Sequence, residues 1–363
     1  MKKRKWCVLF LGVCLVAALA TGGYYRLHRG LAFVQCLGPG INLGNSFDVT
    51  GAKKYRPEGT VTDYETFWGN PPTTRELFRM IYERGFRTVR IPVSWGEHLD
   101  NEGNIDAAWM ARVTEVVDWA LNEKLYVILD LHHEAWLIPT EEHEPHTTEI
   151  LESLWRQIAE NFKDRGEHLI FEGMNEPRLE NSPEEWTSGT PELQQVVNRL
   201  NQTFVETVRA VGKENSTRFL MVPAYCSISE REALEALELP EDPRLIVAVH
   251  AYLPYHFIHD ETGEVRWDVN DPEDTKKIDE LMDNLDELFI KKRIPVVISE
   301  FGCHKKPTEE ERLAWASYYV GSAAERGIPC LWWDNGKNSR VMDRSKLCWT
   351  EEALVDILVN GGK

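Results

Sequence analysis

Short apolar runs recur along the chain, separated by stretches in which apolar residues return every three or four positions. The runs are Ile41–Leu43, Thr88–Ile91, Tyr126–Leu131, Leu169–Phe171, Phe219–Val222, Ile246–Val249, Pro295–Ile298 and Cys330–Trp333. Between them lie patterns such as Ile150, Leu151, Leu154, Ile158, Phe162 and Ile278, Leu281, Leu285, Leu288, which follow the helix period. Strands joined by helices must run parallel, so eight such units predict an α/β protein, a (β/α)8 TIM barrel forming a single catalytic domain.

Connection lengths predict which rim of the barrel carries chemistry. Helix-to-strand junctions are brief and marked by Gly85, Gly166 and Gly327, where a left-handed cap is expected. Strand-to-helix junctions are long: Asn45–Pro72, Glu134–His146, Pro177–Gly189 and Leu253–Asp271. Long loops on the C-terminal side of the strands are where barrel enzymes place their sites. An open doubly wound sheet would need a glycine-rich phosphate turn after its first strand, and Leu43-Gly44-Asn45 is not one.

Residues 1–30 read differently from the rest. Lys2, Lys3, Arg4 and Lys5 precede an apolar run from Trp6 to Ala20, which predicts a signal peptide or an uncleaved N-terminal membrane anchor. The domain proper is then 31–363, with a secreted or extracellular location, membrane contact only through that segment, and action as a monomer. A net charge of −18 repels phosphate backbones and disfavours nucleic acid as a partner. Cys36, Cys226, Cys303, Cys330 and Cys348 lie outside the apolar run with no C-x-x-C spacing. Buried free thiols are expected, with one disulfide left open.

Polar residues gather at the ends of the predicted strands: Asn45, Arg90, His132 and His133, Asn175 and Glu176, His250 and Tyr252, Glu300, then Trp333 and Asp334. A barrel would converge them on one mouth, where unpaired charges are costly unless they have partners or chemistry. Glu176 and Glu300 stand out, because retaining glycoside hydrolysis needs two carboxyl groups about 5–5.5 Å apart. For either alone, an ion pair at the barrel rim explains it equally well.

Seven motifs then stand in order: Gly40–Asn45, Gly85–Pro92, Asp130-Leu131-His132-His133-Glu134, Phe171–Pro177, His250-Ala251-Tyr252, Ile298–Gly302 and Trp332–Gly336. This series resembles glycoside hydrolase family 5, and Glu65–Pro71 with Trp332–Gly336 looks like its subfamily 4, the endoglucanases and xyloglucanases. The resemblance implies that Glu176 is the general acid/base and Glu300 the nucleophile. It also implies that Arg90 and Tyr252 are partners of the nucleophile, that Asn175 reaches a sugar 2-hydroxyl, and that His132 and His250 complete a polar floor. No cofactor or metal is implied. His132-His133-Glu134 is not H-E-x-x-H, and adjacent rings on a strand should point to opposite faces.

The chain has 13 Trp. Trp109, Trp119, Trp155 and Trp315 fall on helical patterns and read as core. Trp68, Trp136 and Trp333 read as platforms for the apolar faces of sugars, Trp186 and Trp267 as loop anchors, and Glu141–Glu144 as a solvated loop face. The expected function is endo-acting hydrolysis of β-1,4-glucosidic bonds in cellulose, xyloglucan or mixed-linkage β-glucan. A β-1,4-mannanase of the same family and a catalytically silent polysaccharide-binding barrel are the alternatives.

Overall fold

The computed structural model describes residues 30–259, 266–304 and 308–362. Its parallel strands close on themselves in chain order: β1 (Gly40–Leu43), β2 (Thr88–Ile91), β3 (Tyr126–Asp130), β4 (Leu169–Glu172), β5 (Leu220–Ile228), β6 (Leu245–His250), β7 (Val296–Phe301) and β8 (Cys330–Asp334). The seam pairs Gly40 with Leu331 through Leu43 with Asp334. The two helical patterns named above fall in Glu144–Asn161, with Phe162 at its C-terminal cap, and in Pro272–Leu288.

The strands read as continuous apolar runs because both faces are buried. Val127, Leu129, Phe171, Val222, Val247 and Ile298 face the helices, in one cluster with Trp155, Phe204 and Trp315. The alternate positions Ile128, Ile170, Met221, Ala248, Val297 and Leu331 fill the barrel interior together with Val34 and Leu37 of the helical residues 30–37. That helix plugs the N-terminal end: Phe33 stacks on Phe219 at 3.9 Å, and the Thr88 hydroxyl donates to the Leu37 carbonyl at 2.7 Å. Fully burying each such aliphatic side chain contributes about 1.5–3 kcal/mol.

One further step of two residues along the strands changes the interior from apolar to polar. Ile128, Ile170, Ala248, Val297 and Leu331 are followed at that spacing by Asp130, Glu172, His250, Ser299 and Trp333. The apolar plug therefore lies at one end of the barrel and the chemistry at the other.

Gly85 and Gly327 are left-handed, with φ of 117° and 69°, whereas Gly166 is not. The carbonyls at that junction have another partner. The Arg218 guanidinium donates to the backbone oxygens of Phe162, Arg165, Gly166 and Leu169. Cys226, Cys303 and Cys330 are buried free thiols, Cys36 and Cys348 are exposed, and no disulfide links the described residues. Among the described residues no helix is long and apolar enough to cross a membrane. The leader or anchor expected over 1–30 lies, apart from Gly30, outside them.

Candidate active site

Arg90 is fully buried near the end of β2, and its planar fork organises the polar layer. Nε contacts Glu172 at 2.6 Å; Nη1 donates to Glu300 at 2.6 Å and Asn42 at 3.1 Å; Nη2 reaches Asn175 at 2.8 Å and Asp130 at 2.7 Å. A lysine ammonium could not meet so many acceptors in one plane. Burial works against the charge on Arg90, but Glu172, Asp130 and Glu300 hold it protonated. Asp130, pushed up to about 6 by burial, accepts from His132 Nδ1 at 2.7 Å. Neither Asp130 nor Glu172 was assigned a role from sequence: Asp130 lies inside an apolar run and Glu172 directly follows one. Their signal was a carboxylate at an inward strand position.

Glu300 reaches the interior because β7 is irregular. Val249 pairs with Ile298 but His250 pairs with Glu300, and on the other side Ile298 pairs with Cys330 but Phe301 with Trp332. Both neighbours thus leave one extra residue in β7, a bulge of the kind that re-aims a side chain. Ser299, whose hydroxyl faces Glu172 at 3.4 Å, and Glu300 consequently both serve the barrel interior. Strict alternation would have sent one of them outward.

Glu176 sits on the turn after β4, which β5 clamps through a second irregularity. Pro223 pairs with Ala248 and Ile228 with His250, and the intervening Cys226 and Ser227 are left-handed, with φ of 56° and 52°. Ser227 Oγ donates to the Asn175 carbonyl, and the Cys226 amide donates to the Pro177 carbonyl at 2.9 Å. A non-glycine residue is rarely left-handed, so two in succession mark a local conformation held by its surroundings.

The two glutamates face one another with a carboxylate oxygen of each within 4.8 Å, and His250 lies between them. His250 Nδ1 is 2.8 Å from Glu176 and Nε2 is 3.7 Å from Glu300. Their settings differ. Glu300 accepts from Arg90 and, at 2.7 Å, from the Tyr252 hydroxyl. Glu176 has His250 and a more distant Arg178 at 3.5 Å. Burial raises both carboxyls, and His250, Arg90 and Tyr252 pull Glu300 back toward its anion. Burial also lowers the pKa of His250, against the opposing pull of Glu300, and raises that of Tyr252.

A cavity of about 720 Å³ surrounds the pair, lined by His132, His133, Asn175, Glu176, His250, Tyr252, Glu300 and Trp333 among others. Trp333 is half-buried, and its ring lies parallel to His132 at 5.7 Å. Trp68 and Trp136 line an adjoining cavity that shares His133. Asn45 lines neither; its amide donates to Asp48 and its carbonyl accepts from Asn70. The inward residue of β1 is Asn42, in register with Arg90 and donating to the Ser299 carbonyl at 2.9 Å. Trp109, Trp155 and Trp315 are fully buried core, whereas Trp119 is only partly buried, under the Arg112 guanidinium. Trp267 anchors its loop as expected, buried against Phe257 and Tyr318. Trp186 does not: it is 59% exposed, lines the main cavity and stacks under the Arg178 guanidinium at 4.2 Å. In the Glu141–Glu144 run, the first two glutamates are exposed and Glu144 pairs with Arg199.

His132 and His133 also depart from expectation. β3 ends at Asp130, so strand alternation no longer governs them, and their rings meet at 4.4 Å on the same cavity. With Asp48 they bring three potential ligand atoms within 4.8 Å of one another, as do Glu176, His250 and Glu300. Strand alternation therefore does not turn these two rings to opposite faces. Both Asp48 oxygens already accept backbone amides, from Asn45 and Ser46, and His132 Nδ1 is committed to Asp130.

Residues 49–339 match the family model for cellulase, glycosyl hydrolase family 5. Endoglucanase A of Ruminococcus albus is 40% identical over 359 residues, 95% of this chain and 96% of its own. A GH5-4 broad specificity endoglucanase from Clostridium longisporum superposes with a TM-score of 0.87 at 40% identity, covering 92% of this chain and 98% of that one. A xyloglucan-specific endo-β-1,4-glucanase from a metagenomic library, solved with cellotriose, gives a TM-score of 0.86 at 39% identity over 92% and 99%. A buried arginine-centred floor, paired carboxylates on a closed barrel and a family match across most of its length together establish that this chain belongs to glycosyl hydrolase family 5.

Proposed function

We propose that the protein hydrolyses internal β-1,4-glucosidic bonds of cellulose-like, xyloglucan or mixed-linkage β-glucan chains, retaining the anomeric configuration. The observation that carries this reading is the carboxylate pair. Oxygens within 4.8 Å suit a retaining enzyme, since inverting enzymes hold their carboxyls about 6.5–9.5 Å apart to admit a water. The relatives are named as endoglucanases, one of them xyloglucan-specific, which favours this reading over mannan hydrolysis or silent binding.

In the first step the Glu300 carboxylate attacks the anomeric carbon, the glycosidic C–O bond breaks, and the Glu176 proton passes to the leaving oxygen. In the second, Glu176 takes a proton from water as the water oxygen attacks that carbon and releases Glu300. Arg90 and Tyr252 favour the charged form of Glu300. Because a guanidinium only donates, Asn175 must turn its amide oxygen to Arg90, which leaves its NH2 for a sugar hydroxyl. No step needs a metal ion. Export is supported by the basic residues Lys2–Lys5 ahead of the apolar run.

Release of reducing sugar from carboxymethylcellulose, xyloglucan, barley β-glucan and mannan tests the substrate class. The glucans should be cleaved and mannan left nearly intact; preferential cleavage of mannan would replace the reading.

Two further results are expected. Activity needs ionised Glu300, so it rises with pH through that group's pKa and falls again as Glu176 loses its proton. Tyr252→Phe removes a donor that favours the Glu300 anion, and should therefore move the acidic limb of kcat/KM to higher pH. A limb that stays put or moves down contradicts the assignment. Trp333→Ala should lower kcat/KM at least several-fold, since aromatic stacking contributes about 0.5–1.5 kcal/mol beyond area. Trp155→Ala, in the fully buried core, should instead cost roughly 3–5 kcal/mol of stability while activity per folded molecule changes less. Intact kinetics with a lowered Tm in Trp333→Ala would make Trp333 a packing residue.

A further inference from the structure

Glu134 lies in the loop after β3, is 8% exposed, and has no part in the two steps above. Its Oε1 accepts the Trp95 amide at 2.6 Å; its Oε2 accepts the Gly96 amide at 2.9 Å and the Trp136 indole N–H at 2.6 Å. Trp95 is itself fully buried, with its indole donating to the Asp130 carbonyl at 3.1 Å, so the carboxylate is tied to the polar floor. Trp136 is half-buried and, with Trp68, lines a cavity of about 630 Å³ that opens beside His133 and contains neither Glu176 nor Glu300.

We propose that Glu134 is a positioning residue: it fixes the Trp136 indole in the orientation that receives a sugar of a bound glucan chain away from the reacting pair. The inference rests on the β-glucan reading. A tryptophan side chain has two rotatable bonds, and a single acceptor at its N–H is enough to fix the second of them. Gly96 shows how closely the assembly fits. A Cβ there would lie 2.5 Å from Glu134 Oε2 and 3.0 Å from Trp136 Cδ1 and Nε1, so any side chain would push the carboxylate and the ring apart. An unfixed ring must be ordered when sugar binds, which weakens binding and leaves the bond-breaking groups untouched. The loss belongs in KM rather than kcat.

The test compares cellohexaose kinetics of the wild type with Trp136→Ala, Trp136→Phe, Gly96→Ala, Glu134→Gln and the Glu134→Gln/Trp136→Ala double variant. Trp136→Ala should raise KM about ten-fold, and Trp136→Phe, which keeps a ring but removes the N–H, about three-fold. Gly96→Ala and Glu134→Gln should raise KM in the same range. In the Trp136→Ala background Glu134→Gln should add less than about two-fold, because its effect runs through the missing ring. If Glu134→Gln does not fold, Trp136→Phe and Gly96→Ala still break the arrangement with the carboxylate intact. A wild-type KM for Trp136→Phe beside an impaired Trp136→Ala overturns the positioning role, as does an undiminished Glu134→Gln effect in the double variant. An unaffected Trp136→Ala shows that this ring holds no sugar. Failure of the wild type to cleave cellohexaose at all would instead remove the β-glucan reading.

Discussion

Glu300→Gly is expected to lower turnover of glucan by about 10⁴-fold or more, because no other group on that face of the sugar can form the glycosyl–enzyme bond. Arg90 and Tyr252 would remain, but they only donate hydrogen bonds. The glycine leaves a space lined by those donors, which suits a small anion. Azide should therefore restore reaction of an aryl β-cellotrioside: its nitrogen bonds to the anomeric carbon, the bond from that carbon to the aryloxy oxygen breaks, and Glu176 supplies the proton. Attack from the nucleophile's side yields the inverted glycosyl azide, which proton NMR distinguishes from the β-anomer. Substantial residual hydrolysis, or an azide product of retained configuration, would move the nucleophile elsewhere.

Glu176→Ala should lose about 10²–10⁴-fold on polysaccharide, the usual worth of a positioned general acid, but far less on a dinitrophenyl β-cellotrioside. A sugar alkoxide cannot depart without a proton, whereas dinitrophenolate can. Burial raises the pKa of the Glu176 carboxyl and so favours its protonated form. Its nearest cation, Arg178, opposes that shift from 3.5 Å. Losses of equal size on both substrates would mean that Glu176 does something other than donate a proton.

The barrel was legible in the sequence because buried parallel strands need uninterrupted apolar runs, and each of the eight predicted runs overlaps a strand. Glu176 and Glu300 were legible as polar residues closing apolar runs. The devices that aim them were not. One extra residue in β7 and two left-handed residues in β5 are matters of register, which a single sequence does not encode as periodicity. Asp130 was hidden inside the run that identified its strand and Glu172 sat directly against the end of another, and Asn42 was passed over for Asn45 because the reading looked past the strand rather than along its inward face. Gly166 misled for a related reason: a carbonyl cap can come from a side chain distant in sequence, here Arg218. Trp186 was read as a loop anchor, but Arg178 supports one of its faces and leaves the ring exposed at the cavity.

The central claim is that Glu300 forms the covalent intermediate. Incubation with 2-deoxy-2-fluoro-β-cellotriosyl fluoride tests it directly, since the fluorine slows both steps while the good leaving group lets the first proceed. Intact mass should rise by one fluoroglycosyl group, and peptide mapping should find the adduct on Glu300. An adduct on Glu176 or any other residue would contradict the account, as would continued slow turnover of the reagent with no adduct formed.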